Sequence, residues 1–416
     1  MLTSRGITLL SGALLAWLVG RTLGVAELYA VAVAVLAVVA LGVAFVRVTT
    51  GSVAARRQVE VRRVVAGAEV PVLVQLRNDG RIPSPTLLVT DPLPEGVDAV
   101  GHPVAGQARF VIDGLRPGQL ATAPYTAVAG VRGRYRIGPL ELRVRDPFGA
   151  AERVRRYSSV DEVVVYPRIE PLPPITVRGA HMGSGSSDTR RVFATGDDFY
   201  TMREYVSGDD LRRVHWPSTA HRQVLMVRQM EQPWQAHGTV FLDARRMAHT
   251  LGADGTLEKA VSVAASLLHH LDAAGYALRL VTDRAAGRGG RPEPVESAMD
   301  ALAVLDPSDS GGLGPALAAT RGGEGLFVAV LGVPVGTGDL GSHPDVRALL
   351  GVRGFGHRIA VVLGLPGDAR AERTAALLRA AGWRAAATTT ARPLADVWAD
   401  VTQPGRHPGL VDGVGA

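Results

Sequence analysis

The sequence predicts a multi-domain chain: an N-terminal transmembrane helical hairpin, a β-sandwich domain, and a doubly wound α/β domain. Three observations carry this. Two nearly uncharged apolar runs lie within the first fifty residues, short alternating runs separated by turn residues follow, and the last third alternates strand-like and helix-like segments. With 416 residues, 47% of them hydrophobic and 20% charged, the chain is long enough for two or three folded domains.

Composition removes several function classes. There are no cysteines, which excludes disulfides, thiolate zinc, iron–sulfur clusters and a cysteine nucleophile. Lys259 is the sole lysine and sits in Leu-Glu-Lys-Ala, so the chain has no Gly-Lys-Ser/Thr nucleotide loop and no other Schiff-base lysine. A net charge of +6 raises nucleic-acid binding. Because several arginines follow the apolar N-terminus directly, a membrane explanation ranks above it and no nucleic acid is expected.

Residues 1–50 read as the hairpin, with helices at about 7–23 and 28–46 and a turn over Gly20–Glu27. Arg5 precedes the first run; Arg47, Arg56, Arg57, Arg62 and Arg63 follow the second. Basic flanks stay inside, so the chain is expected in the cytoplasmic membrane, multi-pass, with both termini and the soluble domains cytoplasmic. A competing reading is a signal peptide cleaved after the small residues Gly24-Val25-Ala26.

Residues 55–166 read as the β-sandwich. Strands are expected at Val70–Arg77, Thr86–Thr90, Ala108–Ile112, Ala121–Val128, Leu140–Val144 and Glu162–Tyr166, with turns at Asn78-Asp79-Gly80 and Asp91–Gly96. Residues 167–195, rich in Pro, Gly and Ser, read as a linker, and 404–416 as a flexible tail. Over 237–403 the expected elements are strands Thr239–Asp243, Tyr276–Asp283, Leu326–Leu331, Arg358–Leu363 and Trp383–Thr388. Helices are expected at Leu257–Ala274, Pro344–Val352, Ala369–Ala381 and Leu394–Val401.

Residues 196–231 form a distinctive segment. Arg203-Glu204-Tyr205 is followed by Gly208-Asp209, Arg212, Trp216, Ser218, Ala220 and Arg228. This pattern resembles the bacterial family called domain of unknown function 58. Arg132-Gly-Arg-Tyr and Asp146-Pro-Phe-Gly resemble the segment that precedes it there, and the order of parts is similar along essentially the whole chain. His215, Pro217 and His221 depart from the family pattern, where Asp, a basic or small residue, and Arg are usual. The stretch from Leu76 to Gly96 also resembles the immunoglobulin-like repeats of bacterial surface proteins.

The family resemblance implies a von Willebrand factor A-like fold for the last domain. It also implies a MoxR-type AAA+ ATPase as partner, acting on an unidentified envelope client, with this chain as a non-enzymatic adaptor and no cofactor. That fold often binds a divalent metal through Asp-x-Ser-x-Ser. Here Asp243 stands alone, with Arg245 and Met247 in place of the serines, so Asp243 is read as a degenerate remnant paired with Arg245 or a helix start, and no metal is expected. Three readings of the signature stay open: a folding determinant, a docking surface, and a catalytic or metal site built from Asp209, Asp210, His215 and His221, with Asp209, His215 and His221 as the residues of a hydrolase. The first expects Asp209 or Asp210 to cap a helical turn over Leu211–Trp216. His343-Pro344-Asp345 reads as a helix start, and His269 and His270 face different directions.

Overall fold

A computed structural model describes residues 2–174, 200–206, 214–230, 236–284, 292–336 and 338–402, with only the backbone for 200–203 and 228–230. The chain divides into two compact units. One comprises 1–170 with 251–266 and 296–307; the other comprises 171–250, 267–295 and 308–416. The first unit therefore takes two segments from the stretch read as the α/β domain.

The first unit opens with α1 (Ser4–Leu23) and α2 (Ala26–Gly51), both long and apolar enough to cross a membrane. They are longer than the sequence expected, and the joint shrinks to Gly24 and Val25. Gly24 takes the left-handed conformation that ends α1, where a side chain would be strained. Only Ser52 separates α2 from the first strand, β1 (Val53–Val59).

Ten more strands follow: β2 (Arg63–Val65), β3 (Glu69–Asn78), β4 (Leu87–Pro92), β5 (Val97–Ala99), β6 (Gln107–Ile112), β7 (Leu120–Ala129), β8 (Gly133–Ile137), β9 (Leu140–Arg145), β10 (Glu152–Tyr157) and β11 (Asp161–Tyr166). Two antiparallel four-stranded sheets, ordered β1-β3-β7-β5 and β10-β9-β4-β6, share one core, and β2-β11-β8 form a third sheet. Alternation builds that core: Val70, Val72, Val74 and Leu76 of β3 meet Leu87, Val89, Leu140, Leu142 and Val144.

Strands β1, β2, β5, β8 and β10 were not expected. β5 and β2 are three residues long, and β10 is an edge strand whose Glu-Arg-Val-Arg-Arg-Tyr has no apolar face. Cross-strand ion pairs steady it instead: Glu152 meets Arg143 at 3.0 Å and Arg145 at 2.8 Å, and Arg156 meets Glu141 at 2.7 Å.

Two charged residues read as surface features are inside. Arg57, counted among the basic flank, has a fully buried side chain. Its Nε and Nη2 bond both oxygens of Asp91 at 2.8 and 2.5 Å, and Nη1 donates to the Ile137 carbonyl. Asp91, read as part of a turn, lies within β4 and also accepts the Tyr125 hydroxyl at 2.8 Å. Burial pulls the Arg57 pKa down, but the bond to Asp91 and its charge outweigh this and leave it raised. The expected linker is tied down where it is described. Glu170 accepts from Lys259 at 2.6 Å, and Ser262 donates to the Arg168 carbonyl.

The second unit carries a ribbon, a short helix and a parallel sheet. β12 (Tyr200–Glu204) pairs antiparallel with β13 (Met226–Met230), and α3 spans Trp216–Arg222. The sheet strands are β14 (His237–Leu242), β15 (Ala277–Thr282), β16 (Leu326–Leu331), β17 (His357–Leu363) and β18 (Arg384–Thr388). The helices are α4 (Thr256–Ala273), α5 (Val295–Ala303), α6 (Gly314–Ala318), α7 (Pro344–Leu350), α8 (Ala369–Ala380) and α9 (Leu394–Thr402), of which α4 and α5 also supply the segments of the first unit.

All five strands are parallel, in the order β15-β14-β16-β17-β18. This is a doubly wound order: the crossover direction reverses at β14, so right-handed connections place helices on both faces. Every residue of β16 is buried, as a central parallel strand requires. α5 and α6 were missed by the sequence reading; α6 is only five residues long.

Candidate functional site

The reversal in strand order matters because open parallel sheets take ligands beyond the carboxyl ends of the strands at that point. Here Asp243 directly follows β14, Asp283 directly follows β15, and β16 ends at Leu331. Asp243 is fully buried and its carboxylate is held by Arg245. Nε bonds Oδ1 and Nη2 bonds Oδ2, each at 2.9 Å. The third arm, Nη1, reaches Asp345 Oδ2 at 2.7 Å, one hundred residues on, at the start of α7.

Arg245 therefore satisfies two carboxylates at once with its planar fork. Burial lowers its pKa, but Asp243 and then Asp345 more than reverse this, so it stays charged. Asp345 was not singled out for this role. It also accepts the Leu313 backbone N–H at 2.9 Å, and the sequence hint was only its place after His343-Pro344, where His343 caps α7.

Asp283 is turned to a different task. It accepts the Ala244 N–H at 2.9 Å and the Ser308 hydroxyl, and Ser308 in turn meets Ser310 Oγ at 2.9 Å. His249 is buried, its Nε2 2.9 Å from the Asp243 carbonyl oxygen, and burial lowers its pKa. Among the described residues, no three His, Asp or Glu side chains are grouped to hold a metal ion.

The signature segment is partly visible. Gly208, Asp209, Asp210, Leu211, Arg212 and Arg213 lie outside the described residues. Arg203 and Arg228 fall on β12 and β13, in register with Val227 and Met202 respectively. Glu204 is exposed and Tyr205 half-buried, with the Tyr205 N–H bonded to the Leu225 carbonyl at 2.8 Å.

Of the helical turn expected over Leu211–Trp216, the first three residues lie outside the described residues; Val214 bridges Val227, and the described helix begins at Trp216. His215 caps it, with Nδ1 2.8 Å from Ser218 Oγ and accepting the Ser218 N–H. This accounts for two departures from the family pattern. An imidazole nitrogen can accept where an aspartate would, and Pro217 sits in the first turn, where no backbone N–H is missed. His221, on the last turn, is exposed, as is Ala220, so His215 and His221 do not converge. Trp216 is 68% exposed and Val206 63%.

The other two family pieces lie in the first unit, and both join parts of it. The Arg132 side chain is 7% exposed, and its Nη2 and Nε meet the Glu258 carboxylate at 2.8 and 3.0 Å. It also donates to the Leu302 and Leu305 carbonyls at the end of α5. Asp146-Pro-Phe-Gly is a turn in which Asp146 accepts the Phe148 and Ala151 N–H groups. The membrane-type helices rest on it: Thr3 N–H bonds the Ala150 carbonyl, and Gly42 of α2 faces Asp146.

The sequence pattern of the family described as "Protein of unknown function DUF58" matches residues 201–310. The chain is similar to the uncharacterized protein YeaD of Bacillus subtilis (strain 168), 24% identical over 216 residues, which is 52% of each chain. The match thus spans about half the length of that relative. Among solved structures, the CARDB domain of the PF1109 protein from Pyrococcus furiosus matches at a TM-score of 0.20 with 14% identity, over 27% of this chain and 86% of that one. The sporulation control protein Spo0M from Bacillus subtilis matches at 0.17 with 14% identity, over 28% and 49%. Likeness at that level carries no argument.

Proposed function

We propose that this chain, which belongs to the DUF58 family, is a membrane-anchored, non-enzymatic adaptor or scaffold. The hairpin holds it in the cytoplasmic membrane with both termini and the soluble parts inside. An immunoglobulin-like β-sandwich and a von Willebrand factor A-like α/β domain are presented to the cytoplasm. A MoxR-type AAA+ ATPase supplies the work, and the client is an assembly of the membrane or envelope.

The observation that carries the non-enzymatic reading is Arg245 between Asp243 and Asp345. The sheet end that would take a metal or small ligand is filled by the protein's own cation. Recognition then falls to protein surfaces, and the exposed Trp216 of the signature segment is the anchor type that interfaces favour.

The test is affinity purification of the tagged full chain from its native membrane, with ATP and crosslinker, read by mass spectrometry. Recovery of a MoxR-type ATPase, and its loss with Trp216→Ala, is the expected result. Recovery of envelope proteins without any ATPase would replace the adaptor reading with a scaffold that works alone.

A further inference from the structure

Within the first unit, where α2 meets the β sheets, an open groove of about 900 Å³ lies between the hairpin and the β9–β10 edge. One wall is Val43, Val46 and Arg47 of α2, with Leu2, Thr3 and Ser4 at the start of α1. The facing wall is β9 and β10. Five arginines line it (Arg47, Arg143, Arg145, Arg153 and Arg156) against two glutamates, Glu141 and Glu152.

The pairing leaves positive charge over. Arg143 and Arg145 share the single carboxylate of Glu152, and Arg156 takes Glu141. Arg47 and Arg153 are exposed, and among the described residues neither guanidinium has an ion-pair or hydrogen-bond partner. Guanidinium forks match the geometry of a phosphate, and Arg47 of α2 and Arg153 of β10 carry the two free ones.

Height selects the ligand. From Leu28 to Leu41, α2 offers about 21 Å of helix without a charge, and α1 from Ile7 to Gly20 offers about 21 Å. Gly42 already faces Asp146, so α2 leaves the hydrocarbon there and Arg47 lies a turn beyond. Phe148, 60% exposed on the same turn, suits the headgroup layer.

We propose that this groove binds the phosphate of an anionic membrane phospholipid at the cytoplasmic face. The inference rests on the hairpin crossing the membrane, as in the proposed function. A lipid phosphate is preferred to a free anion because the apolar helix wall continues from the groove into the bilayer, where acyl chains lie.

The full chain in nanodiscs, with phosphatidylglycerol or phosphatidylcholine as the test lipid, would be examined by native mass spectrometry. Retained phosphatidylglycerol should exceed phosphatidylcholine about twenty-five-fold, about fivefold for each of the two arginines, and Arg47→Gln with Arg153→Gln should bring the ratio close to parity. Arg116→Gln, an exposed loop residue, should change nothing. A double variant with undiminished preference would overturn the groove, and so would displacement of the lipid by millimolar inorganic phosphate, which marks a soluble-anion site. Flotation with pure phosphatidylcholine vesicles separates the two readings. A chain that does not float refutes the membrane span, whereas one that floats but shows no anionic preference refutes only the groove.

Discussion

Arg245 is the cation between two buried carboxylates, and its removal has a definite cost. Arg245→Ala leaves Asp243 and Asp345 buried without their cation, a change worth about 3–5 kcal/mol. Urea unfolding of the full chain in detergent should show it as an earlier second-unit transition, and an unchanged midpoint would refute the clamp. Arg245→Lys should not restore stability, because an ammonium cannot reach both oxygens of Asp243 and Asp345 together. His249 adds a pH dependence. Its folded pKa is depressed below the ordinary 6.5 by burial, so just below 6.5 the unfolded chain binds a proton that the folded chain does not. Its stabilising contribution is complete above about 6.5 and shrinks as the pH falls toward the folded value. His249→Asn should flatten that slope. The Asp243–Arg245 half of the clamp was legible because the partners are two residues apart. Asp345 was not, because only the parallel sheet brings its helix start there.

At the scale of elements, stability hangs on a few side chains that join segments. Arg132→Ala removes a two-pronged carboxylate contact and the caps on the end of α5, and should cost about 3 kcal/mol. Gly6→Leu should unseat α1, since even a Cβ there would lie 2.1 Å from the Ala150 oxygen, and overpacking of this kind costs about 1–3 kcal/mol or more. Both are read as a fall in thermal midpoint of the first unit. Apolar alternation made β3, β4, β6, β7, β9 and β11 readable. β1 and β10 were hidden because charge occupies their faces: Arg57 points inward on one, and salt bridges replace apolar contacts on the other. Likewise the fully apolar β16 and the periodic α4 were plain, whereas the five-residue α6 is too short for a helical period to show.

For the whole molecule, an alkaline carbonate wash should leave the full chain in the membrane pellet, and its release would count against two spans. The chain's coarse order was readable because bilayer thickness, strand alternation and strand–helix alternation are each long-range patterns. The interleaving of 251–266 and 296–307 with the first unit was not, because no local pattern encodes it. One feature of the join bears on the adaptor role proposed above. A single residue, Ser52, separates α2 from β1, and Arg155 ties the helix end by bonding the Thr50, Gly51 and Val53 carbonyls at 3.1 Å each. The β sheets therefore ride on a stiff post, not a leash. A post gives no slack to reach outward, so under that proposal a client would have to come to a fixed height above the lipid. Within that thin layer diffusion is confined to two dimensions, and the effective concentration of anything else anchored there is correspondingly high.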